Sequence, residues 1–143
     1  MNNFEALFAE YPCVLTDELV KAAASDILTN HFEENNNVEV WKQCLHSIDL
    51  TTLNGDDTTE KVETMAQRVN EFEDHFPNVP NVAAMCVYPA LVQTASDTLT
   101  EPIGIAAVAA GFPASQTFIE IKVAEAAMAV AAGATEIDIV ISI

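Results

Sequence analysis

Residues 103–143, IGIAAVAAGFPASQTFIEIKVAEAAMAVAAGATEIDIVISI, place a strand, a helix and a second strand in direct succession. The apolar run at 103–110 ends at a Gly-Phe-Pro turn, which is typical of a buried strand. The alanine-rich segment 118–132 stops at Gly133, a residue type favoured just after the end of a helix. Residues 136–143 alternate isoleucine with other side chains, the period of a strand with two different faces. This succession predicts two parallel strands joined by a helical crossover.

The same alternation runs through the preceding residues. Residues 48–53 and 82–88 predict two further strands, each followed by a helix, and the second of these helices begins at Pro89. Three strand–helix units and a fourth strand thus fill residues 47–143 at roughly 30 residues a unit, while a barrel of eight units needs about 250 residues. The chain is therefore predicted to be an α/β protein, the N-terminal half of a (β/α)8 barrel with about four parallel strands. A small doubly wound sheet uses the same units, so a complete flavodoxin-like binding domain stays open as an alternative.

Threonines mark the starts of three predicted helices. Thr16 stands before two acids that suit the first turn of a helix. Asp57 or Thr58 is expected to begin the helix after the first strand. Thr117 and Glu120 have the spacing of a capping box for the alanine-rich helix.

The first 46 residues lie outside the strand–helix pattern and are predicted to be helical. The helix that follows Thr16 has apolar residues at the spacing of one buried face, namely Leu19, Val20, Ala23, Ala24, Ile27 and Leu28. The asparagines at 35–37 end it, and a shorter helix around Trp41 follows. Because this segment is too small for a core of its own, residues 1–46 are predicted to be a helical cap packed on a main domain of residues 47–143.

The final strand has an apolar face that no later element of the sequence covers. Its isoleucines point to one side and its other residues to the opposite side: Ile137, Ile139, Ile141 and Ile143 against Glu136, Asp138, Val140 and Ser142. Natural edge strands usually carry charges, prolines or bulges that prevent pairing. The pattern therefore indicates a strand from the middle of a sheet. It also favours an alternative function, a half-barrel association module that pairs through this strand with a second copy or a complementing half, giving a homo-oligomer in the first case.

The charge of the chain excludes one class of partner. There are 22 Asp and Glu residues against 5 Lys and Arg, for a formal net charge of −17. Nucleic acids and anionic membranes are bound by clusters of Lys and Arg that neutralise phosphates, and the five cations here are scattered. The sequence therefore predicts neither nucleic-acid nor membrane binding.

Cysteine, histidine and apolar residues are arranged as in a cytoplasmic protein. Cys13, Cys44 and Cys86 are odd in number and lack a Cys-x-x-Cys spacing, which argues against a disulfide framework or a zinc site. The three histidines have no metal-ligand spacing either. The N-terminus lacks the basic and apolar regions of a signal peptide, and the apolar run at 103–110 is far shorter than the roughly 20 residues of a membrane helix.

Three side chains on the predicted strands are candidates for chemistry. Asp138 interrupts a β-branched strand on the face away from the helices, which in a barrel is the packed interior, where a carboxylate is costly unless it is paired. It is either a salt-bridged structural acid or an acid or base poised by burial and a nearby cation. Cys86 is either a small buried hydrophobe or a site residue. Asp49, followed by Thr51 and Thr52, has either a role in the turn or a role in a site.

Four segments, taken in order, resemble the deoxyribose-phosphate aldolases. They are residues 48–54 (IDLTTLN), 84–89 (AMCVYP), 111–113 (GFP) and 133–140 (GATEIDIV). Their order and spacing over about 95 residues carry the resemblance, rather than any single motif. Residues 1–46 lie outside it.

The resemblance implies a TIM-barrel enzyme that needs no metal or coenzyme. Enzymes of that family cleave 2-deoxy-D-ribose 5-phosphate to D-glyceraldehyde 3-phosphate and acetaldehyde through a lysine Schiff base. By position, Asp138 resembles their active-site aspartate, which works in a proton relay with water. Cys86 resembles a cysteine that faces the substrate pocket, and Asp49 and Thr51 resemble pocket residues on the first strand.

The resemblance also implies that the lysines of the chemistry lie elsewhere. In that family the Schiff-base lysine and its partner lysine lie on the sixth and seventh strands, and later loops bind the phosphate of the sugar-phosphate substrate. Lys61 and Lys122 fall on predicted helices, away from the strand ends, so neither is expected to be the nucleophile. The net charge of −17 agrees, because it offers no cationic cluster for a sugar phosphate. The chain alone is expected to be inactive.

Overall fold

The computed structural model describes residues 3–11 and 14–142, and the predictions that concerned Cys13 and Ile143 fall outside the described residues. The chain forms two compact units, Met1–Val40 and Trp41–Ile143. The sequence placed this division later, after residue 46. A helix at Val38–His46 crosses the boundary between the units.

Two helices make up most of the first unit, α1 (Asn3–Glu10) and α2 (Asp17–Asn35). Thr16 caps α2 as predicted, since its hydroxyl accepts a hydrogen bond from the N–H of Leu19 at 3.3 Å. The end of α2 at Asn35 agrees with the predicted stop in the asparagine run.

The apolar face of α2 is not buried, so that prediction is wrong. None of the described residues of α2 is buried, and the side chains of Val20 and Leu28 remain 52% and 63% exposed. A stripe that runs the length of 19 residues needs an apolar partner of similar length. With eight residues, α1 is too short to provide it.

The second unit contains the predicted alternation of strands and helices. Its helices are α3 (Val38–His46, from the first unit into the second), α4 (Thr59–Asn70), α5 (Phe72–His75), α6 (Val92–Thr98) and α7 (Ile119–Ala131). Its strands are β1 (Asp49–Thr51), β2 (Ala84–Val87), β3 (Gly104–Ala109) and β4 (Glu136–Ile139). Pro89 begins a single 3-10 turn, Pro89–Leu91, that leads into α6.

All four strands are parallel and lie in chain order, β1-β2-β3-β4. This confirms the predicted parallel sheet and the fold class of a partial (β/α)8 barrel. Each strand pairs with its predecessor, as it does around a barrel. A flavodoxin-like sheet reverses direction after its first crossover, so the doubly wound alternative is excluded.

Helices cover one face of the sheet and form the core there. The core residues of this face come from both layers: Val62, Ala66, Met85, Val87, Val92, Ala95, Ile105, Ala107, Ala129 and Ala134. Met85 and Ala107 are completely buried in this layer. Cys86, Ala106 and Val108 form a separate cluster on the opposite face. The alternation of each strand thus sorts its side chains between a helix-covered face and a second face, as the period of two requires.

The ends of two helices test the predicted capping residues. Of the two candidates for the start of α4, the cap is Thr58, whose hydroxyl accepts from the N–H of Lys61 at 3.2 Å. The capping box proposed for α7 is wrong, because Phe118 occupies the N-cap position and makes no side-chain capping bond. Thr117 instead lies against Gly111, where a Cβ atom would sit 2.9 Å from its methyl group.

Gly133 follows α7 as predicted and adopts a φ of 112°. That conformation is unfavourable for a residue with a Cβ atom. The space is also taken, since a Cβ atom here would lie 2.6 Å from the hydroxyl oxygen of Ser96. Both facts explain why glycine ends this helix.

A buried carboxylate organises the turn that follows β1. The side chain of Asp57 is only 1% exposed, and it accepts hydrogen bonds from the Thr52 hydroxyl at 2.9 and 3.0 Å and from the Asn54 N–H at 3.0 Å. It also pairs with the Lys61 ammonium. Because Lys61 stabilises the charged form most, the pKa of the Asp57 carboxyl falls from 3.8 to about 2.

We expect Asp57→Asn to destabilise the second unit in a pH-dependent way. A carboxyl whose pKa is lower in the folded chain contributes stability above its unfolded pKa of 3.8 and loses it as the pH falls toward about 2. Urea unfolding should therefore show a constant loss of stability for Asp57→Asn from pH 5 to 8, and a shrinking loss as the pH falls below about 4. Asp56→Asn is the matched control, because Asp56 is exposed. An equal loss in both variants, or a loss that does not change with pH, would contradict this account.

Candidate active site

Paired residues across the sheet bring the predicted site residues onto one face. Thr51 pairs with Cys86, Cys86 with Ala106, and Ala106 with Glu136, so these four form one row across the strands. Asp138 pairs with Val108, two residues nearer the carboxyl ends of the strands than this row. Paired residues of neighbouring strands point to the same side of a sheet. We call this side, opposite the helices, the open face.

Asp49 lies on the open face as well, at the other end of β1 from Thr51. It pairs with Ala84, two residues before Cys86. The hydroxyl of Thr51 donates a hydrogen bond to the carbonyl oxygen of Asp49 at 2.8 Å. The structure therefore brings together all four residues that the sequence singled out, from three different strands.

The electrostatic environment of Cys86 shows how close these groups are. Cys86 is 4% exposed, and burial is the main cause that raises the pKa of its thiol above 9.0. The negative charges of Asp138, Asp49 and Glu136 raise that pKa further, while a hydrogen bond with Thr51 partly offsets the increase. At neutral pH the thiol is therefore protonated, which makes it a poor nucleophile.

Glu136 is a member of this face that the sequence interpretation did not select. Its carboxylate extends over Gly104, where a Cβ atom would lie 2.5 Å from the Glu136 Oε1 atom. The signal was present in the sequence, because Glu136 and Asp138 are two residues apart on a strand and so share a face. Small neighbours leave room for the carboxylates, since Gly104, Ala84 and Ala106 carry at most one methyl group.

Asp138 is exposed rather than buried, which corrects the expectation of a packed interior. That expectation assumed a closed barrel, and four strands leave the open face accessible to water. Among the residues that the structure describes, the ion pairs do not include Asp138. Sequence analysis allows two interpretations of Asp138, a salt-bridged acid or an acid poised by burial and a nearby cation. Neither has its cation among the residues that the structure describes.

The neighbouring loops fix the carboxyl end of the first two strands. The hydroxyl of Tyr88, just after β2, donates to the carbonyl oxygen of Leu53, just after β1, at 3.2 Å. Phe112 and Leu53 pack against the small cluster that contains Cys86. These contacts join the ends of neighbouring strands on the side of the sheet where barrel enzymes place their chemistry.

The two lysines that the sequence discounted bind other side chains. Lys61, on α4, pairs with Asp57. Lys122, the fourth residue of α7, donates hydrogen bonds to the hydroxyls of Ser115 at 2.6 Å and Ser142 at 2.7 Å. That neither lysine is the nucleophile stays a prediction.

Metal-binding clusters and membrane-spanning helices are both absent from the described part of the chain. Within residues 3–11 and 14–142, no group of three or more His, Cys, Asp or Glu side chains is arranged to hold a metal ion. Over the same residues, no helix is both long enough and apolar enough to cross a bilayer.

Comparison with known proteins gives a consistent result. The family model described as DeoC/LacD family aldolase matches residues 44–143. The deoxyribose-phosphate aldolase of Homo sapiens is 40% identical over 107 residues, which are 66% of this chain and 33% of the human protein. The enzyme of the same name from Mus musculus is 41% identical over 106 residues, with the same coverage of both chains.

Solved structures match in fold. The aldolase QR15 superimposes with a TM-score of 0.59 at 28% identity, over 68% of this chain and 40% of that one. The tetrameric deoxyribose phosphate aldolase from Aeropyrum pernix gives a TM-score of 0.61 at 23% identity, over 81% of this chain and 45% of that one, a likeness of fold alone.

The chain spans about a third of the length of the curated relatives it matches. The matched region covers the whole sheet and every residue of the open face described above. The resemblance found from the four sequence segments is thereby confirmed. Since the family model spans residues 44–143, the chain belongs to the DeoC/LacD family of aldolases.

Proposed function

We propose that this chain supplies the acidic part of the active site of a deoxyribose-phosphate aldolase. The complete enzyme would reversibly cleave 2-deoxy-D-ribose 5-phosphate to D-glyceraldehyde 3-phosphate and acetaldehyde through a lysine Schiff base. The observation that carries the proposal is the convergence of Asp49, Thr51, Cys86 and Asp138 on the open face. The names of the human and mouse relatives support the choice of substrate.

Asp138 is the residue of this group best suited to move protons. A neutral lysine amine adds to the substrate carbonyl to give a carbinolamine, which then loses its hydroxyl as water to form the iminium, and both steps need proton transfer. Asp138 lies one step nearer the carboxyl ends of the strands than Cys86 and is exposed on the open face. A carboxylate in that position can exchange protons with a water molecule and balance the iminium charge.

Cys86, Thr51 and Asp49 would form the wall of the substrate pocket. A protonated, buried thiol presents a small apolar surface rather than a nucleophile. Thr51 and Asp49 offer a hydroxyl and a carboxylate to the hydroxyl groups of a sugar. A pocket that combines apolar walls with a few such polar groups is the usual form of a small-molecule site.

The cation that this site requires would come from another part of a barrel. The open face carries the carboxylates of Asp49, Glu136 and Asp138, while Lys61 and Lys122 bind other groups. A site that holds a sugar phosphate and a Schiff-base lysine needs positive charge near both. We therefore infer that residues 1–143 alone do not catalyse the reaction.

We expect no Schiff base on the isolated chain. After incubation with 2-deoxy-D-ribose 5-phosphate and borohydride, its intact mass should remain at 15.4 kDa. The complete human relative, treated in the same way, is the positive control and should gain a reduced adduct. An adduct on this chain would contradict the proposal, and Lys61→Met and Lys122→Met variants would then locate it.

A chimera tests the role of Asp138 within a complete barrel. Residues 44–143 would replace the matching segment of the human relative, which would supply the remaining strands. Loss of a general acid–base group should lower kcat by roughly 100-fold or more in Asp138→Asn. Asp97→Asn, on the exposed surface of α6, is the matched control and should leave kcat unchanged. Full activity of Asp138→Asn would refute the assigned role.

The cellular setting is a further part of the proposal. Cys44 and Cys86 are both free thiols, which favours a reducing compartment such as the cytoplasm. The deoxyribose phosphate aldolase from Aeropyrum pernix is a tetramer, and we propose that the complete form of this protein also assembles from several copies.

A second candidate function is association through β4. Ile139, the last residue of β4, and Ile141, two residues beyond it, are 60% and 79% exposed, and β4 lies at the end of the strand order. An unpaired strand edge with apolar side chains recruits another strand. A second copy of this chain could therefore pair along β4.

We expect Ile141→Lys to weaken such association, because a charge just beyond the end of β4 cannot be buried in the new contact. Light scattering during size-exclusion chromatography should show an increase of at least roughly tenfold in the dimer dissociation constant, about what one unfavourable contact produces. Ile27→Lys, at an exposed apolar position of α2, is the charge-matched control. A chain that stays monomeric at high concentration would refute this second function.

A further inference from the structure

Lys122 connects three segments of the chain through hydroxyl groups. Its ammonium donates to the Ser115 Oγ atom at 2.6 Å and to the Ser142 Oγ atom at 2.7 Å. The Ser115 hydroxyl in turn donates to the carbonyl oxygen of Val140 at 3.1 Å. We refer to Ser115, Lys122, Ser142 and the Val140 carbonyl as the Lys122 cluster. It joins helix α7 and the loop after β3 to the residues that follow β4.

Hydrogen bonds within the loop after β3, and from that loop to α7, fix the position of Ser115. Its φ is 57°, and its N–H donates to the carbonyl oxygen of Gly111 at 2.8 Å. The N–H of Gly111 donates to the carboxylate of Glu125 at 2.9 Å. Glu125 and Lys122 are three residues apart on α7 and so lie on one side of the helix. The loop is therefore held from the same helix at two points.

Each side chain of the cluster has at least one hydrogen-bond partner within it. The Ser115 hydroxyl accepts from the ammonium and donates to Val140, and the Ser142 hydroxyl accepts from the same ammonium and lies 3.2 Å from the Ser115 Oγ atom. Ser115 is only 2% exposed, so its contact with the ammonium is largely shielded from water. Charge-assisted hydrogen bonds are roughly twice as strong as neutral ones, and a satisfied network of this kind fixes its members in place.

The carboxyl end of β4 depends on this cluster for its position. The strand ladder between β3 and β4 ends at the pair Ala109–Ile139. Val140 is the next residue, and Asp138 stands two residues before it. On its other side β4 has no neighbour among the described strands. The Lys122 cluster thus holds the chain in place just after the last residue pair of the β3–β4 ladder.

We propose that Lys122 is a positioning residue that fixes the carboxyl end of β4, and with it the place of Asp138 on the open face. The importance of that placement for catalysis rests on the function proposed above, but the placement itself can be measured without any turnover. This role accounts for the position of Lys122 beside the end of the strand that carries Asp138.

The first measurement is amide hydrogen exchange by NMR on Lys122→Met and Lys122→Arg. Methionine keeps the length of the side chain without the charge, whereas arginine can still donate to both hydroxyls. We expect exchange at Asp138, Ile139 and Val140 to be at least roughly tenfold faster in Lys122→Met, because hydrogen bonds to a charged group are lost. In Lys122→Arg it should stay near the wild-type rate. Amides of the β2–β3 ladder should be unchanged in both variants.

Lys61→Met separates this effect from general destabilisation. It removes a different lysine, whose partner is Asp57. Its exchange at the end of β4 should follow the wild type, even if its overall stability falls. Equal acceleration at β4 in Lys61→Met and Lys122→Met would mean that Lys122 has no specific effect on that strand, which would overturn the proposal.

The second measurement reports on Asp138 itself, through the thiol of Cys86. The negative charge of Asp138 raises the pKa of that thiol, so a displaced Asp138 should lower the pKa. Titration of 13Cβ-labelled cysteine should give a lower Cys86 midpoint in Asp138→Asn, and a shift in the same direction in Lys122→Met. Simple removal of a positive charge would act in the opposite direction, toward a higher thiol pKa.

The two readouts together decide the inference. Faster exchange at β4 with a lowered Cys86 midpoint in Lys122→Met, and recovery of both in Lys122→Arg, would support it. Wild-type exchange at β4 in Lys122→Met, with a Cys86 midpoint that is not lowered, would show that Asp138 does not depend on Lys122 and would overturn it. Neither readout involves aldolase turnover, so a failure of the proposed enzymatic function would appear separately, in the chimera that carries Asp138.

Discussion

The parallel ladder that joins β1 to β4 in chain order is the constraint on which the candidate site depends. Paired residues of parallel strands point to the same side of the sheet. The alternation of side chains between the two faces is therefore in register across β1, β2, β3 and β4. The helices cover the side that holds Met85 and Ala107. Polar residues that are far apart in the sequence, such as Asp49 and Asp138, consequently lie on the same side of the sheet, opposite the helices. A shift of one residue in any strand would send its contribution to the helix layer instead.

Three loops at the carboxyl end of the sheet then limit how far these strands can move. Asp57 orders the turn after β1 through Thr52 and Asn54. Tyr88 joins the end of β2 to that same turn, and Lys122 joins the end of β4 to the loop after β3. The contacts of Asp57 and Lys122 involve a charged side chain, whereas that of Tyr88 joins a hydroxyl to a backbone carbonyl. Rigid strand ends are what a site needs when its side chains must stay within a fraction of an ångström of a productive geometry.

The negative charge of the open face agrees with the proposed enzyme, in which this chain supplies the acidic groups and another part of the barrel supplies the cations. Burial raises the pKa of the Cys86 thiol most, and the negative charges of Asp138, Asp49 and Glu136 raise it further. A field of this sign would hold a protonated iminium and would oppose a phosphate, so the two ends of a sugar-phosphate substrate need different parts of a barrel. The chain belongs to a family of aldolases. In the proposed enzyme a Schiff base needs an acid and a cation close together, and the open face supplies the acid.

The sequence by itself determined the fold class, the order of its elements and the faces of its strands. Periods of two and of 3.6, with glycine at Gly133 and threonine at Thr16 and Thr58, are local signals, and they predicted these features correctly. The four candidate site residues could also be selected from their strand positions and their resemblance to a family, and their roles stay a prediction. Three features were decided only by tertiary structure: the place of Thr117 against Gly111, the exposure of α2 and of Asp138, and the engagement of Lys122 with Ser115 and Ser142. Each of them depends on which distant segments approach one another, and a local pattern does not contain that information.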